Sequence, residues 1–202
     1  MSRIVNIRGT SGSGKTTLVR HFLDECSSTT ELFGLFGKGK PEAMECVYHG
    51  QTVYLLGSYR NTCGGCDSIP KQDYVHQLVQ DYSIAGHVLF EGLMISHIYG
   101  RYAEAARSDL ASWVFLMLDT PFDTCMEHIR QRRIEAGKDP ELKESVYRNA
   151  RRTWETTYRI REKLTADGIT WYNLPMANRT PEFLNIMHAI LGTGEGDDSL
   201  LI

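Results

Sequence analysis

No stretch of this 202-residue chain comes near the roughly 20 consecutive apolar residues that carry a helix across a bilayer. The opening residues, Met1-Ser2-Arg3-Ile4-Val5-Asn6, lack the apolar core of a secretory signal. A soluble, cytoplasmic protein is therefore the expectation. Cysteine occurs only at Cys26, Cys46, Cys63, Cys66 and Cys125, an odd and scattered set that does not suit a disulfide framework. Internal repeats and an inter-domain linker are both missing. So is an excess of positive charge: 22 lysines and arginines face 25 aspartates and glutamates, a net charge of −3. That argues against a protein that binds nucleic acid through global basicity.

What is present is ordinary for a globular domain, with 42% hydrophobic and 23% charged residues. The charge is unevenly spread. Residues 130–163 carry a local charge of +5, and the remainder carries −8. A basic segment on an acidic body can hold phosphate without making the whole surface adhesive to polyanions. The plainer alternative is a solvated arginine-rich helix face.

Strand-like and helix-like runs alternate along the chain. Ile4-Val5-Asn6-Ile7 is a short β-branched run ending in glycines, and Lys15 to Glu25 has the helical spacing of Leu18, Val19, Phe22 and Leu23. Residues 32–36, 45–48 and 52–56 read as strands, the last two joined by a tight turn at His49-Gly50-Gln51. Further helices are predicted over 71–85, 96–108, 121–136, 144–166 and 181–191. Strands are predicted at 87–91, 113–119 and 169–172. This alternation predicts a parallel sheet with right-handed crossovers, its ligands bound beyond the C-terminal strand ends. Residues 1–192 are expected to form one domain, with residues 193–202 as a frayed tail.

Gly9-Thr10-Ser11-Gly12-Ser13-Gly14-Lys15-Thr16 fits G-x-x-x-x-G-K-[ST] in full, between an apolar strand and an amphipathic helix. Glycines let backbone amides turn inward around an anion, and the helix N-terminus adds its positive end. Lys15 is placed to reach the β- and γ-phosphates of a nucleotide such as ATP, and the Thr16 hydroxyl to ligate Mg2+. Glu91 ends the run Val88-Leu89-Phe90, a position from which a carboxylate can hold a magnesium-bound water or accept a proton from a substrate hydroxyl. Asp67 is the competing base. Asp119 is read as a cap for the following helix.

Arg130, Arg132 and Arg133 precede the helix break at Gly137 to Pro140, and Arg148, Arg151 and Arg152 follow it. Two helices joined this way make a lid over about residues 130–152. Arg130 and Arg133, on one helix face, are the best-placed phosphate ligands among the six. The absence of Asn-Lys-x-Asp argues against a GTPase. Cys63-Gly64-Gly65-Cys66 is read as a glycine turn that brings backbone close to a bound base or sugar. Zinc held by Cys46, His49, Cys63 and Cys66 is the alternative.

Taken together, Ile7 to Thr16, Cys63 to Asp67, Val88 to Leu93, Leu118 to Pro121 and Arg132-Arg133 resemble the bacteriophage 5-hydroxymethyluracil DNA kinases, relatives of thymidylate kinase. The resemblance spans roughly residues 4–155. It implies a P-loop NTPase fold of the nucleotide-kinase kind: a parallel sheet flanked by helices, with an inserted β-hairpin and a helical arginine-rich lid. It also implies that ATP phosphorylates the 5-hydroxymethyl group of modified uracil already within DNA, in the host cytoplasm. That step belongs to thymidine hypermodification, which helps a phage genome evade restriction. Gly9 to Thr16 would bind ATP; Lys15, Glu91, Asp67, Arg130 and Arg133 are the candidate catalytic residues, with Thr16 and Glu91 at Mg2+. Tyr59, Tyr74 and Tyr99 are candidates to stack on bases. A kinase of free nucleosides or nucleoside monophosphates, and a nucleotide-dependent regulatory protein, are the competing readings. Only Arg60 lies between residues 21 and 91 to hold a monophosphate, which weakens the first of these.

Overall fold

The computed structural model describes residues 1–34, 39–61, 64–109 and 112–192. Leu35 and Phe36 of the predicted second strand, Cys63, and the predicted tail 193–202 lie outside these described residues.

Seven strands form one mixed sheet: β1 (Ile4–Arg8), β2 (Ser28–Leu32), β3 (Ala43–Tyr48), β4 (Gln51–Leu56), β5 (His87–Glu91), β6 (Trp113–Asp119) and β7 (Trp171–Pro175). Their order is β2-β3-β4-β5-β1-β6-β7. The five strands from β4 to β7 run parallel, and β3 and β2 extend the sheet antiparallel at one edge. The hairpin expected as an insertion is thus part of the sheet itself, because β4 pairs with β5. Its turn at His49 and Gly50 has positive φ at both residues, the twist that suits a two-residue hairpin. The second strand lies four residues earlier than its apolar run suggested. Its residues Ser28 to Glu31 are polar because an edge strand needs little burial.

Helices α1 (Lys15–Asp24) and α7 (Arg179–Leu191) cover one face of the sheet, where Val5, Ile7, Leu89, Val114 and Leu116 meet Leu18, Val19, Phe22, Phe183 and Met187. The other face is covered by α2 (Gln72–Ala85), α3 (Leu93–His97), α4 (Gly100–Ser108) and α6 (Glu144–Ala166), packed on Ile4, Val88, Phe90, Trp113, Phe115 and Met117. The period-2 alternation of each strand sorts its apolar residues between these two cores. The helix predicted over 96–108 is two helices, α3 and α4, parted at Ile98-Tyr99. Helix α5 (Phe122–Glu135) packs on α6 through Phe122, Met126, Ile129 and Ala150. Among the described residues no helix is long and apolar enough to cross a membrane.

Candidate functional site

The C-terminal ends of β1, β5 and β6 lie side by side, so the segments that leave them converge. From β1 the chain enters Gly9–Gly14 and then α1. Gly12 and Gly14 take positive φ, at 77° and 97°. A Cβ on Gly12 would stand 2.2 Å from the Cys125 carbonyl oxygen, so glycine is required there twice over. Ser13 N–H donates to the Thr10 carbonyl at 3.2 Å and closes the loop. Lys15 is only 7% exposed, and its ammonium donates to the carbonyls of Gly9 at 2.9 Å and Thr10 at 3.1 Å. Burial pulls its pKa down, opposed by the charge of Glu91 and then of Asp67.

Glu91, at the end of β5, is 1% exposed. Its Oε1 accepts the Thr16 hydroxyl at 2.9 Å. Burial pushes its carboxyl up to about 7, against the opposing effects of Lys15 and the Thr16 hydrogen bond. The glycine pair beside it has a different task from the one expected. Gly65 has φ of 79°, and a Cβ there would lie 2.6 Å from the Glu91 carbonyl oxygen and 2.7 Å from Oε1. Gly64 is pressed in the same way on the Tyr59 ring, 2.7 Å from where its Cβ would be. The close approach these glycines permit is to the protein's own Glu91 and Tyr59.

Asp67 follows in a single 3-10 turn, Cys66–Ser68. Its Oδ2 accepts Leu93 N–H at 2.7 Å and its Oδ1 accepts Met94 N–H at 3.2 Å, so the carboxylate holds the start of α3. Ser96, on α3, donates to the Gly92 carbonyl at 2.8 Å and accepts Gly9 N–H at 3.2 Å, tying α3 to the loop. His97 ends α3 with a buried, unpartnered Nε2. Burial lowers its pKa, and Lys15 and Arg152 lower it further.

The arginines are arranged differently from the expectation. Arg130 is exposed and paired with Glu127 at 3.3 Å, and Arg133 donates to the Asp139 carbonyl at 2.6 Å. Their neighbour Arg132 reaches the loop instead, donating to Ser11 Oγ at 3.4 Å. The i, i+3 argument placed Arg130 and Arg133 on a shared face but could not say which face meets the loop. His128, one turn before Arg132, brings Nδ1 to 2.8 Å from the Gly12 carbonyl.

Two further arginines had no motif to announce them. Arg179, at the start of α7, donates to the carbonyls of Ser13 at 2.8 Å, Asp119 at 2.9 Å and Pro175 at 3.2 Å. Arg8 is wholly buried, donating to Asn6 Oδ1 at 2.6 Å and the Ile98 carbonyl at 3.0 Å, with its guanidinium against the Phe115 and Tyr102 rings. Desolvation lowers its pKa to about 10. The one signal available for either was adjacency, to the loop for Arg8 and to a strand end for Arg179.

Asp119 does not cap α5. It accepts the Tyr158 hydroxyl and lies 3.4 Å from Arg161, joining β6 to α6. Tyr59 is buried in the core, Tyr74 donates to Glu42, and Tyr99 donates to Asp167, so packing and internal bonds engage all three stacking candidates. Cys46 and Cys66 sit in the cores on opposite faces of the sheet, which separates two of the four candidate zinc ligands. Among the described residues no group of three or more His, Cys, Asp or Glu could hold a metal ion. Arg60 is ion-paired with Glu31.

No protein-family model matches the chain. Over 169 residues it is 36% identical to the 5-hmdU DNA kinase of Pseudomonas phage PaMx11, covering 83% of this chain and 87% of that protein. Over 178 residues it is 31% identical to the 5-hmdU DNA kinase of Pseudomonas phage M6, covering 83% and 88%. A 5-hmdU DNA kinase of Bacillus phage SP10 is 25% identical over 175 residues, which make up 26% of that longer protein. Similarity of this extent covers most of the chain, and the chain belongs to the family of phage 5-hmdU DNA kinases.

Proposed function

We propose that this chain is a P-loop kinase that transfers the γ-phosphate of ATP to the 5-hydroxymethyl group of 5-hydroxymethyluracil within DNA. In this reading it carries out a step of thymidine hypermodification that shields a phage genome from restriction. The observation that carries the reading is the meeting of Lys15, Thr16 and Glu91 at one glycine loop, in a chain related over most of its length to proteins named for this reaction.

The chemistry is in-line displacement. The substrate hydroxyl oxygen forms a bond to the γ-phosphorus, the bond to the ADP oxygen breaks, and the hydroxyl proton leaves to a base. The loop amides and the N-terminus of α1 receive the phosphates. Lys15 exchanges its two carbonyl bonds for phosphate oxygens, and its burial strengthens that attraction. Arg132 is placed to add charge from the lid side. Glu91 is the base: a recessed carboxyl with pKa near 7 is matched to proton transfer at neutral pH. Asp67, with both oxygens bound to α3 amides, supports the site rather than the proton transfer.

The donor set fits Mg2+, since the Thr16 hydroxyl and the Glu91 carboxylate are hard oxygens 2.9 Å apart. Thr16, backed by Glu91, would hold the ion, which neutralises charge developing on the transferred phosphate.

The test is transfer of labelled γ-phosphate from ATP with magnesium to three acceptors: 5-hydroxymethyluracil DNA, thymine DNA, and a pool of free nucleosides and monophosphates. Label in the hydroxymethylated DNA alone is expected. Label confined to the free pool would overturn the assignment.

A further inference from the structure

The groups that react are recessed, with Glu91 1% and Lys15 7% exposed. A base stacked in a duplex cannot bring its substituent to them, so the nucleotide has to leave the stack. The DNA on either side of that nucleotide then needs a place on the protein. Most of the surface is unsuited to it, because the chain outside residues 130–163 carries −8.

Within the basic segment the arginines fall into two groups. Arg130, Arg159 and Arg161 are ion-paired with carboxylates, and Arg132 and Arg133 donate to the loop and to Asp139. Arg148, Arg151 and Arg152 make no ion pair or side-chain hydrogen bond to any described residue. They lie along α6, and with Tyr147 and the carboxylates Glu144 and Glu155 at its ends they line an open groove of about 370 Å³. The opposite stripe of the helix, Ala150, Thr153, Thr157, Ile160 and Leu164, is buried. Residues three and four apart on a helix are surface neighbours, with Cβ atoms about 5–6 Å from one another. Tyr147 is 40% exposed and stands edge-on to Phe122 at 5.0 Å. The Arg151 guanidinium is already ordered, 4.4 Å from the Phe122 ring centre. The helix adjoins the site: on its buried side the Thr10 hydroxyl donates to the Ala150 carbonyl at 3.3 Å, and on its exposed side Arg152 is among the charges acting on His97.

We infer that Arg148, Arg151 and Arg152, with Tyr147, form the docking surface for the acceptor DNA as a single or locally opened strand. The arginines take successive phosphates next to the extruded nucleotide, and the tyrosine ring takes a neighbouring base. The inference deepens the proposed function and rests on DNA being the acceptor. Three unpaired cations beside an exposed ring match a strand, which offers both phosphates and unstacked bases. A duplex offers only the former along this face.

The test is binding of a fluorescent single-stranded oligonucleotide, and of its duplex, by anisotropy across a salt series. Two double variants are compared with wild type: Arg148→Gln with Arg151→Gln, and Arg148→Gln with Arg152→Gln. A pair on α4, Arg101→Gln with Arg107→Gln, whose side chains are ion-paired with Asp73 and Asp167, is the control. Each docking pair should lower the salt slope for the single strand by about 1.4, the value for two phosphate contacts, with the control unchanged. The single strand should also bind more tightly than the duplex. The second docking pair leaves Arg151 and its ring contacts in place, so a folding defect in the first does not decide the matter. Equal slopes in wild type and both docking pairs, or tighter duplex binding, would overturn the inference. The measurement involves no phosphate transfer, so it can fail while hydroxymethylated DNA is phosphorylated, and succeed if it is not.

Discussion

Glu91 illustrates how burial that prepares a carboxyl for chemistry also sets its cost. Its pKa is about 7 in the folded protein, against a reference of 4.5. Between those values the folded state binds more protons than the unfolded state. The stability associated with this residue is therefore fully present below pH 4.5 and lost as the pH rises through about 7. Glu91→Gln should remove that decline and leave the nucleotide-free protein more stable than wild type at pH 8, by about 1–3 kcal/mol. Phosphate transfer should fall by about 100-fold or more. Denaturant unfolding at pH 4.5 and pH 8, alongside single-turnover transfer, measures both; parallel pH dependences in the two proteins would contradict the burial argument. Gly65 is the counterpart on the backbone. Its left-handed φ and the 2.7 Å between its would-be Cβ and Glu91 Oε1 mean that Gly65→Ala must displace the carboxylate. A loss of kcat exceeding any rise in the KM for ATP is the expected signature in steady-state kinetics.

At the scale of elements, the rotation of α5 decides which of its arginines meets the loop. Arg132→Ala should lower kcat, since Arg132 reaches Ser11, whereas Arg130→Ala removes an exposed i, i+3 pair and should leave the kinetics unchanged. Equal losses in both variants, measured with saturating DNA, would contradict this division between the two arginines. Here the limits of the sequence are physical. Periodicity located both helices, because a buried stripe has to recur every 3.6 residues. Rotation about the α5 axis depends on packing between Phe122, Met126, Ile129 and Ala150, residues whose contacts are long-range. Gly64 and Gly65 show the same limit: that backbone must come close to something was legible, but the partner was not. Arg179 bonds Ser13 across 166 positions, a distance that no local pattern encodes.

For the whole molecule, the order of strands decides where chemistry can occur. β1 sits between β5 and β6, so the glycine loop, Glu91 and Asp119 emerge at one edge. The alternation of strand and helix along the sequence already implied this edge, and the loop motif named its first occupant. The hairpin's incorporation into the sheet was not legible, because β4 reads alike as a hairpin strand or as a partner of β5. Charge is distributed on the same plan: residues 130–163, in and around α5 and α6, carry +5 and the remainder −8, which favours a polyanion on the side of those helices.

The most direct measurement of the central claim is the position of the phosphate in the product. DNA containing 5-hydroxymethyluracil would be incubated with ATP, magnesium and either wild type or Lys15→Ala, then digested by nucleases and analysed by mass spectrometry. A phosphate on the 5-methylene carbon of the base, formed by wild type and absent with Lys15→Ala, is the result this account predicts. Phosphate found only at strand ends or on free nucleotides, or the base-linked product formed equally by the variant, would contradict it.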